Sequence, residues 1–235
     1  MSDWAAKRFW KQASVEEVEG GYTVALDGRP VRTPAKSPLI LPSLKMAEKI
    51  SAEWDAQEDK IEPLTMPFTR SANAATDKVT AQHSEVADML SSYGDSDLIC
   101  YRAADPQGLV ERQNKAWDPL VDWSATKLKA PLKVFVGVMH ASQSSESLLT
   151  LSERVHKLTP FQLTAFHDLV SLSGSLVIGF AVVEGYATPE NLWEISRIDE
   201  QWQIDQWGRD EEAEAQAEIK RTAFLHANAF FRVSA

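Results

Sequence analysis

The chain has 235 residues, 44% apolar and 25% charged, with a single cysteine, Cys100, and a formal net charge of −10. That length can bury the core of one large domain or two modest ones, and the lone cysteine excludes an internal disulfide framework and suits a reducing compartment. The negative charge argues against nucleic acid as a partner, because a phosphate-binding surface is basic.

The opening residues MSDWAAKRFWK lack a signal peptide's apolar region and contain an acid where a presequence would not, so a cytoplasmic location is expected. Residues 14 to 41 alternate polar and β-forming side chains. Asp27-Gly28, between YTVAL and RPVRT, marks a two-residue hairpin, and Pro30 and Pro34 confine the second strand to an edge or a bulge. Ser43 then caps a helix whose apolar stripe is Leu44, Ala47, Ile50 and Trp54, with the polar run Gln57 to Lys60 ending it. Sheet plus helix make a small two-layer α/β domain, residues 1–68, and the prolines in IEPLTMPF (61 to 68) mark the crossing into a second domain, 69–235.

Nearly everything after the crossing reads helical. Thr69 to Ser92 forms one amphipathic helix closed by Tyr93-Gly94 in C-cap fashion. Asp95 to Arg102 is a short apolar link. Residues 108 to 128 form a helix with Pro119 as a kink or restart. LKVFVGVM (132 to 139) has β composition and either adds an edge strand to the N-terminal sheet or is helix. Helices follow over 145–158, 160–172, with Thr159 as cap and Pro160 in first position, 175–185, 190–207 and 210–231. Leu176 to Val183, the longest apolar run, is far short of the roughly 18 residues of a membrane span, so no membrane insertion is expected. The fold class is α+β: a small antiparallel sheet with a helix, then an all-α orthogonal bundle.

The stretch LWEISRIDEQWQIDQWGRDEE (192 to 212) holds three of the eight tryptophans. Wound as one continuous helix at about 100° per residue, it has two opposed apolar faces. Ile195, Ile198 and Trp202 lie on one, and Trp193, Ile204 and Trp207 on the other. Between them run polar seams, Glu194, Gln201 and Asp205 on one side and Asp199, Gln203 and Gln206 on the other, while Glu200 falls within the second apolar row. Eleven acids and two bases lie between Glu184 and Glu218, so nearly the whole net charge sits there. Either this is a solvated helical surface or it steers a partner.

Enzyme motifs fail residue by residue. Gly174-Ser-Leu-Val-Ile-Gly179 lacks the Lys-Ser/Thr of a phosphate loop, and the five histidines never take the spacing that points two imidazoles at one metal from a helix. His167 beside Asp168 diverges from it by about 100° on a helix, and Cys100 has apolar neighbours that suit an inert buried thiol. Glu200 remains. It could be buried in a pair with Arg197, be a charge in an exposed aromatic interface, or be the raised-pKa acid of a small hydrolase or lyase, working with a histidine in an interdomain cleft.

The segments RFWK (8 to 11), LDGRPVRTP (26 to 34), EWDAQ (53 to 57), MPFTRSANAA (66 to 75), YGDSDLICYRA (93 to 103), WDPLVDW (117 to 123) and SRIDEQWQIDQWGRDEEA (196 to 213) together resemble the ATP-twelve family over essentially the whole chain. Its members are assembly chaperones for the catalytic head of the F-type ATP synthase. The resemblance implies an N-terminal α/β domain and a C-terminal helical domain. It implies no enzyme activity, cofactor or metal, and a partner that is the unassembled α subunit, held until the β subunit replaces it. A bacterial member acts in the cytoplasm and eukaryotic relatives in the mitochondrial matrix. The family's functional acidic position maps to Asp199 or Glu200, which the pattern does not separate, and Trp54 matches a second position. The expected partner-binding residues are Glu200, Asp199, Glu194, Trp193, Ile204 and Trp207, on a chain expected to be monomeric.

Overall fold

The computed structural model describes residues 7–234. They divide into two compact units. One holds the described residues through His83, together with Thr159–Ala165 and those from Ala229 on; the other holds Ser84–Leu158 and Phe166–Asn228.

In the first unit β1 (Ala13–Val18), β2 (Gly21–Leu26) and β3 (Arg29–Pro30) form an antiparallel sheet in the order β1-β2-β3. Asp27 and Gly28 join β2 to β3 with φ of 47° and 77°, the paired left-handed conformation that matches the twist of a two-residue hairpin. Pro30 lies on the edge strand, where its missing N–H costs no inner ladder bond. At Gly21 a Cβ would sit 2.2 Å from the carbonyl oxygen of Leu41, which accepts from the Tyr22 N–H at 2.9 Å. Only glycine lets the two segments come that close.

Helix α1 (Leu44–Asp55) starts as expected at Ser43, whose hydroxyl accepts from the Met46 N–H at 3.2 Å. It buries Met46, Ala47 and Ile50 against Val24, Leu26, Leu39 and Leu41, while Leu44, expected on the same stripe, is exposed. Trp54 meets Trp10 edge-on at 5.2 Å. Arg8 pins the incoming chain: its guanidinium donates to the carbonyls of Trp10, Lys11, Asp55 and Gln57.

Glu53 reaches from α1 to the start of α2 (Pro67–Ala74), where its carboxylate accepts from the N–H groups of Phe68 and Thr69 at 2.7 and 2.8 Å and from the Thr69 hydroxyl at 2.7 Å. Burial nevertheless raises its pKa. The expected single helix over 69–92 is interrupted: α2 passes into a π-helical stretch, Ala75–Val79, before α3 (His83–Ser91) and a tight turn, Ser92–Ser96. Gly94 is no left-handed cap. It gives room to leucines, since a Cβ there would meet Leu148 at 3.3 Å and Leu151 at 3.4 Å.

The expected division after residue 68 falls inside the first unit, whose core also takes in residues far along the chain. Phe230 stacks on Phe161 at 6.4 Å and lies 6.1 Å from Phe68, and the Ser43 hydroxyl donates to the Val233 carbonyl. Helices α6 (Pro160–Ser173) and α10 (Glu211–Arg232), described below, contribute residues to both units, a discontinuity that local patterning does not reveal.

The second unit contains α4 (Gln107–Trp123), which continues through Pro119 into a π-helical stretch, Ser124–Leu128. After it come α5 (Ser145–His156), α6, α7 (Leu176–Val183), α8 (Pro189–Ser196), α9 (Ile198–Trp207) and α10. At α6 the Thr159 hydroxyl accepts from the Gln162 N–H, and the Gln162 side chain accepts from the Thr159 N–H, a reciprocal cap. Residues 132–139 do not extend the N-terminal sheet. Phe135–Val136 (β5) pairs in parallel with Tyr101–Arg102, which is β4, so the helical region is not purely α.

Asp97 is fully buried. One carboxylate oxygen accepts from the Ile99 N–H at 3.2 Å and the other from the Val177 N–H at 3.0 Å. The anion therefore terminates both the turn at Leu98–Cys100 and helix α7, which Ser175 also caps. Burial outweighs these donors and pushes its pKa up to about 6 from 3.8. The neighbouring Cys100 thiol is likewise pushed up, by burial first and then by Asp97, which makes it inert. Because the folded state holds the Asp97 proton more tightly, its contribution to stability is complete below the unfolded pKa and is lost as pH rises from about 4 to about 6. Denaturant titrations of the wild type and Asp97→Asn from about pH 3 to about pH 7 are expected to show the wild type losing about 3 kcal/mol relative to the variant. A pH-independent difference would refute this.

Candidate partner surface on helices α8 and α9

The acidic, tryptophan-rich stretch is not one helix. Between α8 and α9, Arg197 leaves the helical region at φ −110°, ψ 19°, its N–H reaching back to Glu194 at 3.0 Å while the Ser196 hydroxyl donates to the Trp193 carbonyl at 2.7 Å. One non-helical residue is enough to destroy the expected alignment of faces. Trp193 is 5% exposed and packs on Phe224 at 5.5 Å; Trp207 is 80% exposed; Ile204 is half-buried. The three do not form one apolar face, and the continuous helix over 190–207 is corrected to two.

Helix α4 holds both helices in place. The Trp117 indole N–H donates to the Ile195 carbonyl at 2.9 Å. Gln113, nearly buried, donates to the Asp199 carboxylate at 2.6 Å while its amide oxygen accepts from the Ala103 N–H. Arg112 donates to Asp205 at 2.6 Å and lies 4.8 Å from the centre of the Trp202 ring. Gly108 leaves the space that Trp202 fills, since a Cβ there would stand 2.8 Å from the indole. Arg102 completes the bench: its guanidinium donates to the Ile99 carbonyl and to Asp118, and sits over the Trp117 ring at 5.1 Å. Burial lowers its pKa despite Asp118.

The carboxylates therefore separate. Asp199 is turned toward the protein, bonded to Gln113. Glu200 is turned outward, 44% exposed, and ion-paired with Arg197 at 2.6 Å. Its partner is thus an arginine on the same helical turn and not a histidine, which counts against the hydrolase or lyase alternative. Asp205 has its pKa lowered, first by Arg112 and then by Gln201. Glu184, Glu214 and Glu218 have their own arginines, at positions 154, 209 and 221. Asp210 caps α10 by accepting from the N–H groups of Glu212 and Ala213, and Glu211, Glu212 and Glu214 occupy the first turn, where a helix favours negative charge. Much of the acidic run thus has a local cause. Glu194 stays exposed, with Glu200 and Trp207 on the same two helices.

Sequence reasoning named the acids but missed most of the groups that position them. Trp117 stood in a family-like motif; Arg112 and Gln113 carried no signal, because they act only once α4 lies against α9. Among the described residues no group of three or more histidine, cysteine or carboxylate side chains could hold a metal, and no helix is long and apolar enough to cross a membrane.

Comparisons with known proteins agree in direction. Residues 7–125 match the family described as ATP12 chaperone protein. The crystal structure of Atp12 from Paracoccus denitrificans is 47% identical, with a TM-score of 0.97, over 99% of this chain and 100% of that one. An aspartate-to-lysine mutant of P. denitrificans Atp12p aligns with the same TM-score of 0.97. The Atu1473 protein of Agrobacterium tumefaciens is 40% identical with a TM-score of 0.91, over 97% of this chain and 85% of that one. Protein atp12, mitochondrial, of Schizosaccharomyces pombe is 26% identical over 220 residues, 88% of this chain and 75% of the other. With the family match spanning half the chain and the Paracoccus protein aligned from end to end, this chain belongs to the ATP12 chaperone protein family.

Proposed function

We propose that this chain binds the unassembled α subunit of the F-type ATP synthase catalytic head and keeps it from aggregating until the β subunit takes its place. Family membership supports the coarser statement, a chaperone of ATP synthase assembly that is not an enzyme. The client's identity follows from the motif resemblance. The same reading places the protein in the bacterial cytoplasm as a monomer, with the mitochondrial matrix the corresponding compartment for eukaryotic relatives.

The observation that carries the choice of surface is α9, none of whose residues is buried, although it includes two tryptophans and two isoleucines. A helix that spends apolar side chains this way suits a reversible contact, in which a few anchors set affinity and charge sets encounter. Trp207 and Ile204 would supply the apolar part, with Glu194 and Glu200 the charge. Trp193 and Asp199, turned inward, would act by holding α8 and α9 in place.

Separately expressed α and β subunits passed over the immobilised protein test the reading directly: α is expected to be retained and β to pass through, whereas retention of β alone would refute it. Two substitutions refine the surface. Glu200→Lys is expected to weaken α retention at least about tenfold while costing less than about 1 kcal/mol of stability, because it breaks a half-exposed ion pair. Asp199→Lys leaves the Gln113 amide unpaired and adds a cation near Arg102, so a loss of about 1–3 kcal/mol in denaturant titration is expected. Equal stability losses in the two variants would overturn the assignment of outward and inward carboxylates.

A further inference from the structure

Residues 133–136 form a short extended strip, with Phe135–Val136 as its paired strand, that is fixed along one edge, open along the other, and ended by Gly137, which turns the chain at φ 87°. Gln143, nearly buried, receives the Lys133 N–H on its amide oxygen and donates to the Lys133 carbonyl, both at 2.8 Å. The Gly137 N–H donates to the Arg102 carbonyl at 2.8 Å, extending the parallel pairing of β5 with β4. At the far end His140 bonds the Tyr101 hydroxyl at 3.2 Å and lies 3.4 Å from Asp95. Below the strip Leu132 is buried, and Phe135 packs on Tyr101 at 5.7 Å.

These bonds use the backbone groups of residues 133, 135 and 137. In a strand the intervening residues direct their N–H and C=O to the opposite edge, and among the described residues the sheet ends at β5. Those same residues, 134 and 136, present exposed side chains, Val134 at 43% and Val136 at 70%, and beyond the turn at Gly137 Val138 is 94% and Met139 81% exposed. Proteins ordinarily blunt or cover such an edge, and a run of large apolar side chains fixed in place and left open to water marks an interaction site.

The charge of the segment that carries the strip narrows the occupant, with Asp95 engaged at its far end by His140 and the Gln143 N–H. Between Asp122 and Glu146 the chain has three lysines, at 127, 129 and 133, and no acid; all three are exposed. This contrasts with the net −10 of the whole chain and with the acidic run on α8 to α10.

We propose that the free edge of β5, with Val134, Val136 and Val138, is a docking strip for an extended, acid-flanked segment of the client polypeptide, which adds as a strand beside β5. Main-chain bonds to the outward groups of residues 134 and 136 hold the segment, apolar side chains lie on the exposed valines, and the lysines favour carboxylates at its ends. The inference rests on the client-holding reading above only for the identity of the protein that supplies the segment. It assigns this chain a second contact, of opposite charge to that on α9.

The test uses the full chain and a labelled peptide that alternates valine and threonine between paired glutamates, with binding followed by fluorescence anisotropy. Wild type is expected to bind it with a dissociation constant in the micromolar range. Val136→Thr/Val138→Thr, which keeps β-forming side chains, is expected to bind at least tenfold more weakly, as is wild type to a peptide with lysines in place of the glutamates. N-methylation of alternate peptide nitrogens along one edge is expected to abolish binding. Val136→Pro removes an outward N–H only, so its thermal melt should stay near wild type while peptide binding is lost. Absence of binding at millimolar peptide, or equal binding by wild type and the threonine variant, overturns the proposal. The isolated α subunit separates the two readings. Capture by wild type that the threonine variant does not diminish overturns the strip's role in client holding and leaves the proposed function standing. Failure of wild type to capture α, with peptide binding intact, removes the proposed function and leaves the strip.

Discussion

The bond from the Trp117 indole to the Ile195 carbonyl, 2.9 Å long, falls where the acidic segment is weakest. Ile195 is in the last turn of α8, where carbonyls lose their helical partners because Arg197 departs from helical geometry. A carbonyl left there without a donor would favour closing the gap into a straight helix or unwinding it. The indole, fully buried and held under Arg102, satisfies it from outside and so makes the break permanent. Once α8 ends there, Gln113 and Arg112, neighbours on the same helix, meet Asp199 and Asp205 along α9, and the direction of every exposed side chain on that helix is fixed. The acidic surface is thus a consequence of the side chains that α4 turns toward α8 and α9.

Both units rely on a carboxylate that crosses from one element to the start of another. Glu53 on α1 receives the first N–H groups of α2, and Asp97 receives those at the start of α7. In each case burial raises the pKa against the hydrogen bonds. A serine or threonine cap would satisfy one local donor; these acids tie together segments 15 and 80 residues apart in sequence. Their desolvation cost is balanced by order that no local cap supplies.

Where local chemistry decides, the sequence could be read directly. Asp27-Gly28 turns where two left-handed residues must turn, Ser43 and Thr159 begin helices, and Leu176 to Val183 is apolar on all sides because α7 is buried on all sides. Where a distant partner decides, reading failed. Arg197 has no helix-breaking side chain, so periodic winding ran through it and placed Trp193 beside Trp207. Residues 132–139 have strand composition, but their pairing depends on Gln143 and Arg102, neither of which advertises a strand. Phe161 and Phe230 join the first unit only because remote helices bring them there. Asp199 and Glu200 are adjacent acids in sequence, and only Gln113 and Arg197, one on each, give them opposite orientations.

The Arg197–Glu200 pair also bears on reversibility. A guanidinium or ammonium group arriving on this surface does not meet a free carboxylate; it must displace an arginine that is one helical turn away and tethered to the same backbone. Capture is then an exchange of one ion pair for another, and its free energy is the difference between two similar quantities. The displaced arginine stays at high local concentration, ready to return. On the proposed reading, charge contact at this position is therefore self-limiting: it would select a basic client surface without holding it, and dissociation would proceed by the return of Arg197 with no separate energy source.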